Sequence, residues 1–151
     1  MKNKIRITTD AQEREKAFAI RRKVFIEEQH VPEELEIDEY DQQPTTRHVL
    51  LVNQDEQAIG TARFRPYKDG MLKVERVAIL KEQRGTGAGR RIMEAIETEA
   101  RKSGYQGMKL GAQLHARKFY ERLGFQAQGE IYLDAGIEHV DMVKKIEVGQ
   151  G

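Results

Sequence analysis

Arg84-Gly85-Thr86-Gly87-Ala88-Gly89 places three glycines at every second position. This spacing lets a backbone turn tightly and approach a ligand without Cβ obstruction. The residues that follow read as a helix, whose first N–H groups lack intrahelical partners and carry partial positive charge, a combination that favours an anion. Arg84, Arg90 and Arg91 add full charges nearby. A pyrophosphate matches this description, with a plain strand-to-helix turn as the alternative. No Gly-Lys-Ser/Thr follows, so the nucleoside-triphosphate loop would lack its lysine and its magnesium hydroxyl. A dinucleotide fingerprint on Gly85 and Gly87 needs its third glycine where Arg90 stands.

The other chemistry-bearing residues are scattered. Cysteine is absent, which excludes disulfides, thiol nucleophiles and thiolate metal sites. No pair among the four histidines has metal-ligand spacing, so no metal is expected. His115 and His139 can each relay a proton near neutrality, or stand as ordinary hydrogen-bonded residues.

These residues must be held by elements the pattern predicts. Lys4–Thr8 alternates as a strand, and Thr9-Asp10 offers a cap for a helical stretch to about Gln29. In that stretch Phe18, Arg21, Phe25 and Glu28 share a face. Val31 to Asp41 is acidic and irregular. His48–Asn53, Ala58–Tyr67 and Leu72–Leu80 read as a three-strand meander with turns at Asn53–Gln57 and Lys68-Asp69-Gly70. Ala88–Ser103 is helical, striped by Ile92, Ala95, Ile96 and Ala100, and Gly104 stops it. Met108–Gln113 is a strand and Ala116–Leu123 a short helix. Phe125–Leu133 and Ile137–Ile146 are strands joined at Asp134-Ala135-Gly136. Strand–helix–strand in the middle implies one parallel pairing, and the flanking hairpins imply antiparallel ones. The expected class is α/β with a mixed sheet.

A chain of 151 residues without repeat or linker is expected to form a single domain over 1–151. Hydrophobic residues at 38% and charged residues at 34% exclude a disordered chain. No apolar run exceeds four residues, so no bilayer span is expected, and the basic Met1–Arg6 start has no apolar segment behind it to serve as a secretion leader. A cytoplasmic location is expected. Net charge of +1 argues against a bulk grip on nucleic acid. Residues 1–75 sum to −2 and residues 76–151 to +3, which suits a cationic substrate and an anionic cofactor, or random surface scatter.

Leu72-Lys73-Val74-Glu75-Arg76-Val77-Ala78-Ile79 followed by Arg84–Gly89 resembles the acetyl-CoA motif of the GNAT acetyltransferase superfamily, Arg/Gln-x-x-Gly-x-Gly/Ala, with Arg84, Gly87 and Gly89 at its fixed positions. Gln113-Leu114-His115-Ala116-Arg117-Lys118-Phe119-Tyr120-Glu121-Arg122-Leu123-Gly124-Phe125 is similar to that family's second signature, with Gln113 where the family has Asn. Arg21-x-x-Val24-Phe25-x-x-Glu28-Gln29, then Glu34, Asp38 and Asp41, and the late Asp134-Ala135-Gly136-Ile137-x-His139, resemble a subgroup of small bacterial members. Neither segment names an acceptor. The resemblance covers about residues 5–146. It implies a largely antiparallel sheet of six to seven strands with a parallel pair around the cofactor helix, flanked by about four helices.

The resemblance also implies acetyl transfer from acetyl-CoA directly to an amine. The backbone of Val77, Ala78 and Ile79 would polarise the thioester and hydrogen-bond the pantetheine as an added strand. Arg84, Gly85, Thr86, Gly87, Ala88, Gly89 and Arg90 would hold the diphosphate, with Gln113 and Arg117 contributing from the second signature. Tyr120 would be the acid for the departing thiolate. A tyrosine near about 10 and a thiol near about 8.5 make that transfer uphill by only roughly 2 kcal/mol. The alternative for Tyr120 is a core aromatic. Glu75 would be the base, directly or through water, against the alternative of a surface ion pair with Arg76 or a lysine. Strand alternation puts Lys73, Glu75 and Val77 on one face, opposite Val74, Arg76 and Ala78. Glu28, Gln29, Asp38 and Asp41 would line the acceptor side and attract an ammonium, with His139 in the same pocket.

The enzyme reading is therefore an N-acetyltransferase acting on a small amine, as a monomer or homodimer, without nucleic acid, membrane or metal. A non-catalytic acyl-CoA-binding regulatory module is the alternative. A nucleic-acid-associated modifier of proteins lacks the basic stripe it would need.

Overall fold

The structure, a computed structural model, describes residues 3–147. Met1 and Lys2, where the amino terminus read above as leader-free begins, and residues 148–151, the end of the expected domain span, lie outside the described residues.

Seven strands form one sheet in the order β1-β2-β3-β4-β5-β7-β6: β1 (Lys4–Thr8), β2 (Arg47–Val52), β3 (Ala58–Pro66), β4 (Met71–Ile79), β5 (Gly107–Gln113), β6 (Gln126–Asp134) and β7 (Ile137–Lys145). All pairings are antiparallel except β4 with β5, which are linked by helix α3 (Ala88–Lys102). This is the mixed sheet expected from the order of elements, with boundaries within two residues of the turn signals. The β6–β7 hairpin turns on Ala135 (φ 51°) and Gly136 (φ 77°), the two left-handed positions a two-residue turn requires.

Helix α3 covers one face of the sheet. Ile92, Ile96 and Ala100 are fully buried against Val49, Leu51, Leu72, Val74, Met108, Leu110 and Met142. Each large aliphatic side chain buried this way contributes roughly 1.5–3 kcal/mol. Helix α4 (Arg117–Arg122) adds Tyr120 to the same core.

Among the described residues, the cover on the other face lies over β2–β4. Asp10 caps helix α1 (Ala11–Arg21) through bonds from the Gln12 and Glu13 N–H groups, and Ala17, Ile20 and Val24 pack on Leu50, Val52 and Ala78. The helix continues as expected to Glu28, but Arg22–Glu28 is wound as a π-helix, with Gln29 N–H bonding the Val24 carbonyl. The widened turn re-aims the residues beyond Arg21, so the single helical face assumed for Phe18 through Glu28 does not persist. The segment read as irregular contains helix α2 (Glu33–Glu36) and a 3₁₀ turn at Glu39–Gln42. Over β5, β7 and β6 no helix covers this face among the described residues.

Candidate active site

Strands β4 and β5 pair only at Met71–Lys73 with Gly107–Lys109. Both then run on, to Ile79 and Gln113, without pairing each other. The cause lies in β4, where the register against β3 slips between Thr61 and Arg63 and Arg76 adopts φ 58°. Such a bulge bends its strand and increases its twist. It also breaks the expected alternation. Leu72 and Val74 face the α3 core before the bulge, Val77 and Ile79 after it, and Ala78 packs on Ile20 and Val24 instead. Glu75 and Arg76 therefore share a side, rather than opposing each other.

The divergence opens a cavity of about 690 Å³. Its walls are the facing edges of β4 and β5, and Val24, Phe25, Val31 and Leu35 from the amino-terminal segment also line it. Gln83–Gly85, Gly87–Arg90 and Phe119-Tyr120 border it, as do Tyr132, Ile137 and His139 of the last hairpin. The edges that face one another carry backbone N–H and C=O groups without a strand partner, which an extended polar ligand can satisfy.

Gly85 (φ 80°) and Gly87 (φ 87°) are left-handed, and a Cβ on either would meet nothing within 4 Å. The cradle is open to a ligand. Gly87 caps α3 without a side-chain bond, and the first intrahelical donor is Arg91 N–H to the Gly87 carbonyl. The N–H groups of Ala88, Gly89 and Arg90 are thus available at the positive end of a 15-residue helix, which fits a diphosphate. Gly89 has a different reason: a Cβ there would stand 3.1 Å from the Phe119 ring. The arginines are less free than their number suggests. Arg84 donates to the Ile79 carbonyl at 3.0 Å and pairs with Glu28 at 2.8 Å. Arg90 pairs with Glu94, and Arg117 with Glu121. Thr86 Oγ1 donates to the Gln83 carbonyl and braces the turn.

Tyr120 is buried between Phe119 and Phe125, ring centroids 4.9 and 5.8 Å away, and lines the cavity. Burial pushes its phenol well above the usual tyrosine range. The hydroxyl therefore stays protonated as a donor.

Glu75 lies at the centre of an ion network rather than free in the cleft. Its carboxylate accepts from Arg63 at 2.8 Å and from Arg65 at 2.8 Å. Burial raises its pKa, but the two guanidiniums outweigh that and hold it at about 2. A carboxylate so stabilised is a poor proton acceptor, and the geometry does not suit the base role expected of it. The partners differ too: Arg63 and Arg65, not Arg76 or a lysine.

The same network absorbs the acidic loop. Arg21, 1% exposed, holds Asp41 at 2.7 Å and Glu36 at 2.5 Å. Arg63 joins Asp41 to Asp38, and Arg76 joins Asp38 to Glu36. Burial raises the Asp41 carboxyl, but Arg21 overcomes this and holds it well below the usual carboxylate range; Glu36, more deeply desolvated, is raised. Asp38, Asp41 and Glu28 therefore face arginines, which corrects the expectation that they present free negative charge to an ammonium. Gln29 does reach the cleft, exchanging amide bonds with Gln113 at 3.1 and 2.8 Å, while His115 donates to the Gln113 amide oxygen at 2.7 Å.

His139 lies in the cavity wall, its ring stacked on Tyr132 at 5.8 Å. The Tyr132 hydroxyl donates to Asp141 at 2.7 Å. Gly111 makes room for that hydroxyl, since a Cβ there would lie 2.5 Å from it. Sequence reasoning missed Tyr132, Asp141 and Gly111. The two-residue turn could have found the first, because it sets Tyr132 opposite His139. No group of three or more metal-ligating side chains occurs among the described residues. None of their helices is long and apolar enough to cross a membrane.

A family model described as an acetyltransferase (GNAT) domain matches residues 7–146. The chain is 41% identical over 129 residues to an uncharacterized N-acetyltransferase, YjcF, of Bacillus subtilis, covering 85% of this chain and 89% of that protein. It is 42% identical over 142 residues to an uncharacterized protein of the same organism, YyaT, covering 93% and 94%. The crystal structure of an acyl-CoA N-acyltransferase from Pseudomonas aeruginosa matches with a TM-score of 0.84 at 27% identity, over 95% of this chain and 99% of that one.

Proposed function

The chain belongs to the GNAT acetyltransferase family and is an acyltransferase, and we propose that it moves an acetyl group from acetyl-CoA to the primary amine of a small molecule by direct attack. The observation that carries this reading is the split between β4 and β5, which opens beside the uncapped start of α3. Acetyl-CoA brings an activated thioester. The residues supply the rest.

In this reading the backbone of Val77–Ile79 runs beside the pantetheine as a neighbouring strand would. The N–H groups at Gly85–Arg90 take the diphosphate, with Thr86 bracing their turn and Arg84 fastening it to the end of β4. Gln113 and Arg117 stand on the opposite wall and at the start of α4. Tyr120 donates its hydroxyl proton toward the leaving sulfur. The proton need not be lost to water, because an apolar cleft raises the basicity of a thiolate along with that of the phenol. Glu75 holds Arg63 and Arg65 in place and acts as a positioning carboxylate. The acceptor enters on the face left uncovered by α1, past Gln29 and His139, with Glu28 and Asp38 fixing the loops around that entrance. The proposal treats 1–151 as one domain working in the cytoplasm, as a monomer or homodimer, on small molecules and without a metal.

Calorimetric titration with CoA, followed by thiol release from acetyl-CoA across an amine panel, tests this. Saturable binding and amine-dependent release are expected. Binding without release from any amine would favour a non-catalytic acyl-CoA-binding module, a reading that the sequestration of Glu75 supports. Absence of binding would overturn both.

A further inference from the structure

With Glu75 locked between two arginines, the cleft needs another group to unload the proton of the acceptor. His139 Nδ1 lies 2.7 Å from the Ile137 carbonyl oxygen. A carbonyl only accepts, so Nδ1 carries the hydrogen in the neutral ring, and Nε2 keeps its lone pair. Nε2 has no hydrogen-bond partner among the described residues. The ring is held in this pose by stacking on Tyr132, which is itself tied to Asp141. His139 and Tyr120 line the same cavity.

Resting on the acetyl-transfer reading above, we propose that His139 Nε2 is the base that takes the proton from the acceptor ammonium. Nε2 removes one N–H proton and later gives it to solvent. The freed nitrogen pair forms the bond to the carbonyl carbon, and the carbon–sulfur bond breaks with its electrons going to sulfur. Sulfur takes the Tyr120 hydroxyl proton, and the second N–H proton leaves the new amide and, through solvent, restores the phenol. The sum is ammonium plus thioester giving amide, thiol and one proton.

Charged and titratable groups from several strands surround the ring. Tyr132 on β6 and Asp141 on β7 are bonded to each other, and Lys109 of β5 stands 3.7 Å from Asp141. Asp134 borders the cavity from the hairpin turn, and His115 is bonded to Gln113, which lies opposite His139 in the ladder. Across the cleft, Lys73 lines the wall, while Glu36, Glu75 and Arg76 are held in ion pairs.

His139→Asn removes the base but keeps an N–H donor for the Ile137 carbonyl, and His139→Gln is the companion should the first fail to fold. The expected result is a fall in kcat/KM on the order of 10²-fold or more, with the rising limb of its pH profile lost, and CoA affinity and melting temperature unchanged. Nitrogen NMR of the free wild-type protein is expected to show hydrogen on Nδ1. Variants that keep wild-type turnover and pH limb, that lose CoA affinity in parallel, or a wild-type ring carrying hydrogen on Nε2, would each overturn the base assignment alone. Wild-type protein that moves no acetyl group to any amine would instead sink the acetyl-transfer reading, and this assignment with it.

Discussion

Gln29 and Gln113, 84 positions apart in the chain, exchange two amide hydrogen bonds at 3.1 and 2.8 Å. One belongs to the tail of the first helix and the other to the end of β5, so the pair ties the amino-terminal segment to the far half of the sheet across the cleft. Gln29→Ala leaves the Gln113 amide half-satisfied. A half-buried bond of this kind contributes about 1 kcal/mol. The acceptor KM is expected to rise about fivefold, with CoA affinity held. A steady-state titration of both substrates checks this, and an unchanged KM would show that the tie has no part in acceptor binding.

Tyr120→Phe keeps the edge-on contacts with Phe119 and Phe125 and removes only the hydroxyl. Cofactor binding should survive while kcat falls by about 10²-fold, the lower range for loss of a general acid. Pre-steady-state thiol release reads the step directly. Turnover equal to wild type at saturating acceptor would remove Tyr120 from the reaction.

Gly87→Val puts a branched side chain on backbone at φ 87° and on the open side of the cradle. The left-handed conformation alone costs roughly 1–2 kcal/mol, small beside the loss of the anion site. Heat of CoA binding is expected to vanish in calorimetry while circular dichroism still reports a folded protein. Retained affinity would place the diphosphate elsewhere.

Stability should fall in two stages on acidification. His48 is buried, and burial lowers its pKa. The unfolded chain therefore takes up that proton first, near about 6.5, and stability declines from there. Glu75, lowered from 4.5 to about 2, contributes about 3 kcal/mol above its unfolded value, lost as the pH drops through that interval. Asp41, also lowered, acts with the same sign, and Glu36, raised, opposes them. Urea unfolding across pH 2–7 checks this. Glu75→Gln should flatten the slope below about 4.5, and an equal slope in both proteins would refute the assignment.

Much of the sheet was legible because its turns are written in local residues: Asn53–Gln57, Lys68-Asp69-Gly70 and Asp134-Ala135-Gly136 each fall where a strand ends. The glycine loop was legible for the same reason. What escaped was set by contacts between distant residues. Arg21, Glu36, Asp41 and Arg63 look like surface charges in a one-dimensional pattern, yet all are buried, because each arginine meets carboxylates from another element. The bulge at Arg76 carries no glycine to announce it, so alternation set Glu75 opposite Arg76, and the carboxylate for which the resemblance implied a base role is one that the fold ties to Arg63 and Arg65.

The π-wound stretch Arg22–Glu28 holds the equivalent of one surplus residue. Loss of one position there would be absorbed as the coil tightened, but tightening with the full count of residues kept would rotate everything downstream by about 100°. Arg21 would stay moored to Glu36 and Asp41, while Phe25 and Gln29 swung off the opening. The winding of this one stretch thus sets which side chains border the opening.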